Sequence, residues 1–317
     1  MLGARPRFTS QLDFVTIPDF GSETVDLTDA LEGGIDGIIH VASPLSYDTQ
    51  NNEAELIIPA INGVKAVLAA AARTHGRVKR VVITSSFASV IDLDRNLRAK
   101  EGEGYFTYTA GDWNPLSYED AADPRTDAVV AYRGSKKFAE LAAWEFVNNY
   151  QSTAEDASCG FDIVTLCPPM TFGPVVHPVR ARDELNESNA MIWKVVKYLK
   201  GEGEESLPVS RVPFWVDVRD LAEAHALALL KHEAGGKRYL VTAPERFSYG
   251  LAGEIMRHEF PDLAAAGEMR RGAHEKQSID ESYGMDGSTA ARDLGVTYRK
   301  FKETVVDLVR QLAAMHE

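Results

Sequence analysis

Gly37-Ile38-Ile39-His40-Val41-Ala42 is the run on which the fold turns. It is almost continuously apolar and of strand length. It lacks the alternation of a half-exposed strand, so it reads as a strand buried on both faces of a sheet. Helical periodicity follows over residues 56–72, then a second buried strand, Val81-Val82-Ile83-Thr84. A long helix over 131–149 leads to a third, Ile163-Val164-Thr165-Leu166. Upstream, residues 12–17 read as a short β-run and 27–31 as helical. Strands alternating with helices predict an α/β fold, with a parallel sheet covered by helices on both sides.

The second half is less regular. Pro168-Pro169, Gly173-Pro174 and Pro178 punctuate a loop region. Helices are expected at 191–200, 220–231 and 301–315, and a strand at 239–242. The glycine- and glutamate-rich stretches 100–104 and 201–205 read as solvated turns. The division expected is a dinucleotide-type core over 1–175 and a smaller, mainly substrate-binding lobe over 176–317. Segments around 210–245 return to the core.

The chain has 317 residues, enough to bury a large core without staples. Its net charge of −13 argues against nucleic acid and anionic membrane surfaces as partners. No apolar segment of signal-peptide length opens it, and the longest apolar stretch, 66–72, falls far short of the roughly 20 residues of a membrane span. Cys159 and Cys167 make no disulfide framework, which points to the cytoplasm.

Tyr132-Arg133-Gly134-Ser135-Lys136 is the sharpest chemical signal. On a helix, positions i and i+4 lie about 5–6 Å apart on one face. A cation beside a phenol favours the phenolate and brings its pKa down towards neutrality. The phenol becomes a usable proton donor to a nascent alkoxide. Taken alone the spacing is common, and a plain surface helix carries it as easily. The strand 81–84 runs into Ser85-Ser86-Phe87-Ala88, at the end of a parallel strand where ligands bind. One serine is free to cap the following turn while the other reaches substrate. Ser86 is the one favoured for catalysis.

Several segments occur together and in order. They are Asp36-Gly-Ile-Ile-His-Val-Ala-Ser-Pro44, Val82-Ile-Thr-Ser-Ser86, Asp112-Trp-Asn-Pro115, Tyr132-Arg-Gly-Ser-Lys-Lys-Phe-Ala-Glu140, Cys167-Pro-Pro-Met-Thr-Phe-Gly-Pro174 and Val216-Asp-Val-Arg-Asp-Leu-Ala-Glu-Ala-His225. In these the chain resembles the extended short-chain dehydrogenase/reductase family, the NAD(P)-dependent epimerase/dehydratase group. The resemblance is greatest to its dihydroflavonol-reductase-like branch of fungal ketoreductases and methylglyoxal reductase-like proteins. It implies a Rossmann-like doubly wound sheet and reduction of a ketone or aldehyde with NADP, NAD being the other option. Tyr132 would protonate the carbonyl oxygen, Lys136 would tune Tyr132 and hold the nicotinamide ribose, and Ser86 would polarise the carbonyl. Pro168 to Thr171, with Pro168, Met170 and Thr171 foremost, would line the nicotinamide. His40, Ala42 and Ser43 would run beside the adenosine end, and Asp19 would meet the adenine edge. Substrate would rest against Phe87, Met170, Phe172 and residues of the later lobe, with loops between Pro174 and Asn189 and around Phe214 setting its identity. The resemblance implies a monomer or homodimer acting on a small carbonyl compound, with no metal.

The same resemblance exposes a departure. The family begins with a strand, a G-x-x-G-x-x-G turn and a helix, and the turn brings backbone amides to the pyrophosphate. This sequence opens at what resembles the third strand, so the sheet is expected to be N-terminally incomplete. Gly33, Gly34 and Gly37 precede a strand instead of following one, and so are no phosphate loop. Without a neighbour, the strand 37–42 has an apolar edge with no ladder partner. Three explanations stand: a longer natural chain, which is favoured, an inactive relative, or a different mode of cofactor binding. An epimerase or dehydratase and a catalytically silent binding protein are the competing functions. His232-Glu233, His258-Glu259 and His274-Glu275 are isolated pairs without a second histidine, and no Gly-x-Ser-x-Gly turn occurs, which argues against hydrolases. His225, among Ala222, Ala226 and Leu229, reads as a packed histidine.

Overall fold

A computed structural model describes residues 10–31, 33–45, 48–102, 104–153, 160–179, 181–202, 206–261 and 277–315. Cys159, the pair His274-Glu275 and parts of the 100–104 and 201–205 stretches lie outside them. The strands are β1 (Gly37–His40), β2 (Arg80–Thr84), β3 (Phe106–Tyr108), β4 (Asp162–Cys167), β5 (Met170–Phe172), β6 (Trp215–Asp217), β7 (Arg238–Leu240) and β8 (Tyr283–Met285). The helices are α1 (Thr28–Leu31), α2 (Ile58–Ala72), α3 (Leu93–Lys100), α4 (Tyr118–Ala122), α5 (Ala128–Thr153), α6 (Glu187–Lys200), α7 (Val218–Leu230), α8 (Tyr249–Glu259), α9 (Ser288–Leu294) and α10 (Phe301–Ala314).

Four of the strands form one parallel sheet in the order β1-β2-β4-β7. Ile38 stands opposite Val81, and Val81 opposite Ile163. That row packs on Val64, Val67 and Leu68 of α2 and on Ala143 and Val147 of α5. The opposite row, Val82, Val164 and Leu166, packs on Leu221, Ala224 and Ala228 of α7 and Ala290 of α9. Both faces of the sheet are therefore covered by helices, as the alternating pattern predicts. Two further parallel pairs, β3–β8 and β5–β6, lie outside this sheet. Around β5 and β6 a separate apolar core joins α6, α8 and α10, with Trp215, Phe172, Ile192 and Phe301 at its centre.

Caps mark the helix starts. Asp217 accepts from Arg219 N at 2.8 Å to open α7, and Ser248 from Leu251 N at 3.1 Å to open α8. α6 stops at Gly201, where φ is +75°. A Cβ on Gly134 would lie 2.4 Å from that of Ala121, so only glycine lets α4 press against α5 two residues past Tyr132.

Two expectations fail at the edge of the sheet. Residues 12–17 form no strand, and Leu12, Phe14 and Val15 are exposed. β1 is not buried on both faces, since Ile39 is 41% and Val41 60% exposed. The cause is positional. Among the described residues β1 pairs only with β2, and Ile39 is not part of the apolar cluster that α7 and α9 build over Val82 and Val164. The membrane reading needs a correction too. A π-helical turn, Glu53–Ile57, runs straight into α2, and the continuous helix Glu53–Ala72 is long and apolar enough to cross a membrane. Half of it is buried inside the molecule.

Candidate active site

Tyr132 and Lys136 lie on the first turns of α5, whose start is held by Asp127 accepting from Val129 N at 2.9 Å. The Lys136 ammonium is 5.7 Å from the centroid of the Tyr132 ring. Tyr132 faces a cavity of about 720 Å³, within the usual range for a ligand pocket. Lys136 faces a second, smaller cavity, lined also by His40, Ala42, Ser43, Thr84, Ser85 and Glu140. Tyr132 and Lys136 thus stand between the two cavities.

Lys136 makes no hydrogen bond or ion pair among the described residues. Burial pushes its pKa down to about 8. Burial, and then the Lys136 charge, push His40 down to about 4, so this imidazole is neutral at pH 7. His40 stacks on Phe20 with centroids 5.4 Å apart.

Ser86 ends the strand-to-turn passage after β2. It lines the larger cavity beside Phe87, Ala88 and Tyr132. Its Oγ also accepts from Ala88 N at 3.1 Å, capping the 3₁₀ turn Phe87–Ser89. The expected division of labour between the two serines therefore fails, because capping and cavity lining both fall to Ser86. Ser85 turns inward and donates to Glu140 Oε2 at 2.6 Å.

Among the other expected site residues, Met170, Thr171 and Phe87 line the larger cavity, and His40, Ala42 and Ser43 the smaller. Pro168 is buried and lines neither; its carbonyl accepts from Phe87 N at 2.9 Å, and Pro169 takes the cavity wall instead. Phe172 is only 1% exposed, edge-on to Phe247 at 4.9 Å, and belongs to the core. It shares its face of β5 with Met170 but is enclosed by Trp215, Phe247 and Phe301. Asp19 is exposed, accepts from Gly21 N at 3.0 Å and reaches neither cavity. Without a strand at 12–17, nothing carries Asp19 to the sheet end.

The sequence placed the far wall of the cavity in the later lobe without naming its residues on α6. Met191 and Lys194 of α6, the segment 206–212, and Tyr249 all line it. Only the i, i+3 spacing on α6 hinted at this. Sequence reasoning missed a polar cluster behind the serines. Glu140 and Arg238, 1% and 7% exposed at their side chains, pair at 2.8 Å. Burial opposes the Glu140 charge, but the adjacent Arg238 charge and hydrogen bonds from Arg238 and Ser85 outweigh it, so its pKa lies below the usual value. Ser89 donates to the same carboxylate at 2.8 Å, and the Arg238 guanidinium lies 3.7 Å from the Trp113 ring centroid. Asn114 donates to Ala88 O at 2.7 Å and Arg133 O at 3.2 Å. Asp112-Trp-Asn-Pro115 therefore braces both the serine turn and the tyrosine helix. His225 is packed, with Nε2 2.6 Å from Thr84 Oγ1. Among the described residues no three His, Cys, Asp or Glu side chains cluster as metal ligands would.

A tyrosine sharing a cavity with a strand-end serine, and backed by a lysine one helical turn on, suits proton transfer to a carbonyl oxygen. Residues 19–242 match the family model of the NAD dependent epimerase/dehydratase family. The chain belongs to this family. Its relatives there include the NADPH-dependent methylglyoxal reductase GRE2 of Saccharomyces cerevisiae, 32% identical over 278 residues, which span 87% of this chain and 75% of that protein. Ketoreductase azaE of Aspergillus niger is 32% identical over 280 residues, 88% of this chain and 75% of the relative. Among solved structures, yeast methylglyoxal/isovaleraldehyde reductase Gre2 complexed with NADPH matches with a TM-score of 0.79 at 30% identity, over 98% of this chain and 85% of that one. The Candida albicans Gre2 complex with NADPH matches with a TM-score of 0.81 at 29% identity, over 97% and 86%. The parallel sheet between helices fits these neighbours, which are Rossmann-fold reductases.

Proposed function

We propose that this chain is an NADPH-dependent reductase of a ketone or aldehyde, with Tyr132 as proton donor. The observation that carries the reading is that Tyr132 and Ser86 line one cavity while Lys136 sits behind the phenol. The relatives named as NADPH-dependent reductases support the reaction class and the cofactor.

The nicotinamide half of the cofactor fits the residues present. Lys136 has a half-buried ammonium with no hydrogen-bonding partner, suited to ribose hydroxyls. Pro169, Met170 and Thr171 form a wall for the ring, and His40, Ala42 and Ser43 lead away towards the adenosine end. Among the described residues no glycine-rich turn joins a strand to a helix, so no residue is assigned to the pyrophosphate. When bound, the cofactor supplies the hydride.

The rest of the chemistry belongs to the chain. Ser86 donates a hydrogen bond to the carbonyl oxygen and orients it. Tyr132 gives its phenolic proton to that oxygen as negative charge develops. Lys136 stabilises the resulting phenolate. The lobe from 176 onward closes the cavity and sets the substrate, and the protein works in the cytoplasm as a monomer or homodimer.

Titration of the 317-residue chain with NADPH, followed by fluorescence, tests the first step. NADPH consumption with short ketones and aldehydes tests the second. A folded chain without affinity for NADPH removes the reductase reading.

A further inference from the structure

Glu140 follows Lys136 by four residues on α5. A carboxylate and an ammonium at that spacing ordinarily pair. Here they do not. The Glu140 carboxylate is turned to Arg238, Ser85 and Ser89. Both residues border the small cavity, yet no carboxylate opposes the fall in the Lys136 pKa, whose sole cause is burial.

We propose that Arg238 is a positioning residue for proton transfer: by holding Glu140, it keeps that carboxylate off Lys136 and leaves the Lys136 charge to Tyr132. The proposal rests on the reductase reading above. Arg238 suits the task because its planar fork takes both oxygens of Glu140 at 2.8 and 3.2 Å. Its remaining donors go to the Ala110 and Asp112 carbonyls and to Ser89, so it is anchored on the side away from Lys136. Few other groups act on Lys136. Tyr132 and Glu140 share its helix, and His40 of β1 is neutral at pH 7. α2 contributes only Ala60 and Val64, β2 only Ile83 and Thr84, and the turn after it Ser85. Among the described residues Glu140 is thus the one acid lining this cavity.

The arrangement has a signature in the pH dependence of reduction. Reduction needs Tyr132 protonated, so the rate falls through an alkaline limb set by the coupled Tyr132–Lys136 pair. Arg238→Met releases Glu140 towards Lys136, weakens the positive field on Tyr132 and should move the limb up by about 1 pH unit. Glu140→Gln leaves the Arg238 charge unopposed and should move it down by a similar amount. The double variant should return near the wild-type midpoint. Packing damage alone lowers turnover without moving the limb in opposite directions.

The experiment measures kcat/KM against pH for the wild type, the two single variants and the double variant. In parallel, the side-chain nitrogen of Lys136 is titrated by NMR in lysine-labelled protein, with Lys136→Met giving the assignment. Opposite shifts in the single variants and restoration in the double support the proposal. Unmoved midpoints, or shifts of the same sign, overturn it. If Arg238→Met is insoluble, Glu140→Gln and the double variant still decide through their downward shift and its reversal. If the wild type reduces no carbonyl, the reductase reading fails, while the Lys136 titration still decides whether Arg238 separates the two charges.

Discussion

The Lys136 ammonium lies 5.7 Å from the Tyr132 ring centroid, one turn along α5, and the two side chains face different cavities. A cation in this place can favour the phenolate without blocking the side of the phenol that meets a carbonyl. The site therefore depends on which group carries the proton at a given pH, and that can be tested.

Removing the phenolic hydroxyl with Tyr132→Phe should lower kcat by about 10²–10⁴, the usual weight of positioned proton transfer. The NADPH dissociation constant should barely change. Steady-state kinetics with a fluorescence titration checks both, and undiminished turnover would remove Tyr132 from the mechanism.

Ser86→Ala should act in two ways at once, because Ser86 both lines the cavity and caps a turn. Loss of the carbonyl contact should reduce kcat/KM about 10²–10³-fold. Loss of the cap should cost about 0.5–2 kcal/mol in denaturant unfolding. Ser86→Thr keeps an acceptor for the cap, so its stability should lie nearer the wild type.

The Lys136 pKa, depressed to about 8 from 10.5, links stability to pH. Between those values the unfolded chain holds the proton that the folded chain has lost, so this residue's contribution to stability rises with pH across that window. Below about pH 8 the burial penalty is present in full. Lys136→Met should therefore stabilise the cofactor-free protein at pH 7 by at most roughly 2–3 kcal/mol. The difference from wild type should shrink between pH 8 and 10.5. Urea unfolding at a series of pH values measures it, and a difference that does not vary with pH would contradict the buried ammonium.

Met170 and Phe172 are two residues apart on β5 but differ in role. Phe172→Ala should cost about 3–5 kcal/mol, as for a core aromatic. Met170→Ala should alter KM for bulkier carbonyl substrates and change stability far less. A raised KM with an unchanged melting temperature in the Phe172 variant would reverse the assignment.

Much of the frame was legible locally. The apolar runs at 81–84 and 163–166 carry β2 and β4, because a strand buried in a parallel sheet has no polar face to show, and the run 37–42 carries β1 although one of its faces is exposed. The i, i+4 spacing of Tyr132 and Lys136 holds because helix geometry is set by the backbone alone. The pairs β3–β8 and β5–β6 were not legible, since each joins short strands whose partners lie far along the chain.

The sequence by itself determined the alternation of elements, the tyrosine–lysine pair and the serine at a strand end, all of which follow from periodicities within a few residues. Tertiary structure alone decided that Pro169 and not Pro168 meets the cavity, that Phe172 is core, that residues 12–17 form no strand, and that Glu140 turns to Arg238 instead of Lys136. Each of these is a choice between faces or partners that local geometry leaves equally open. Such a choice is settled by which distant side chain arrives to fill the space or balance the charge.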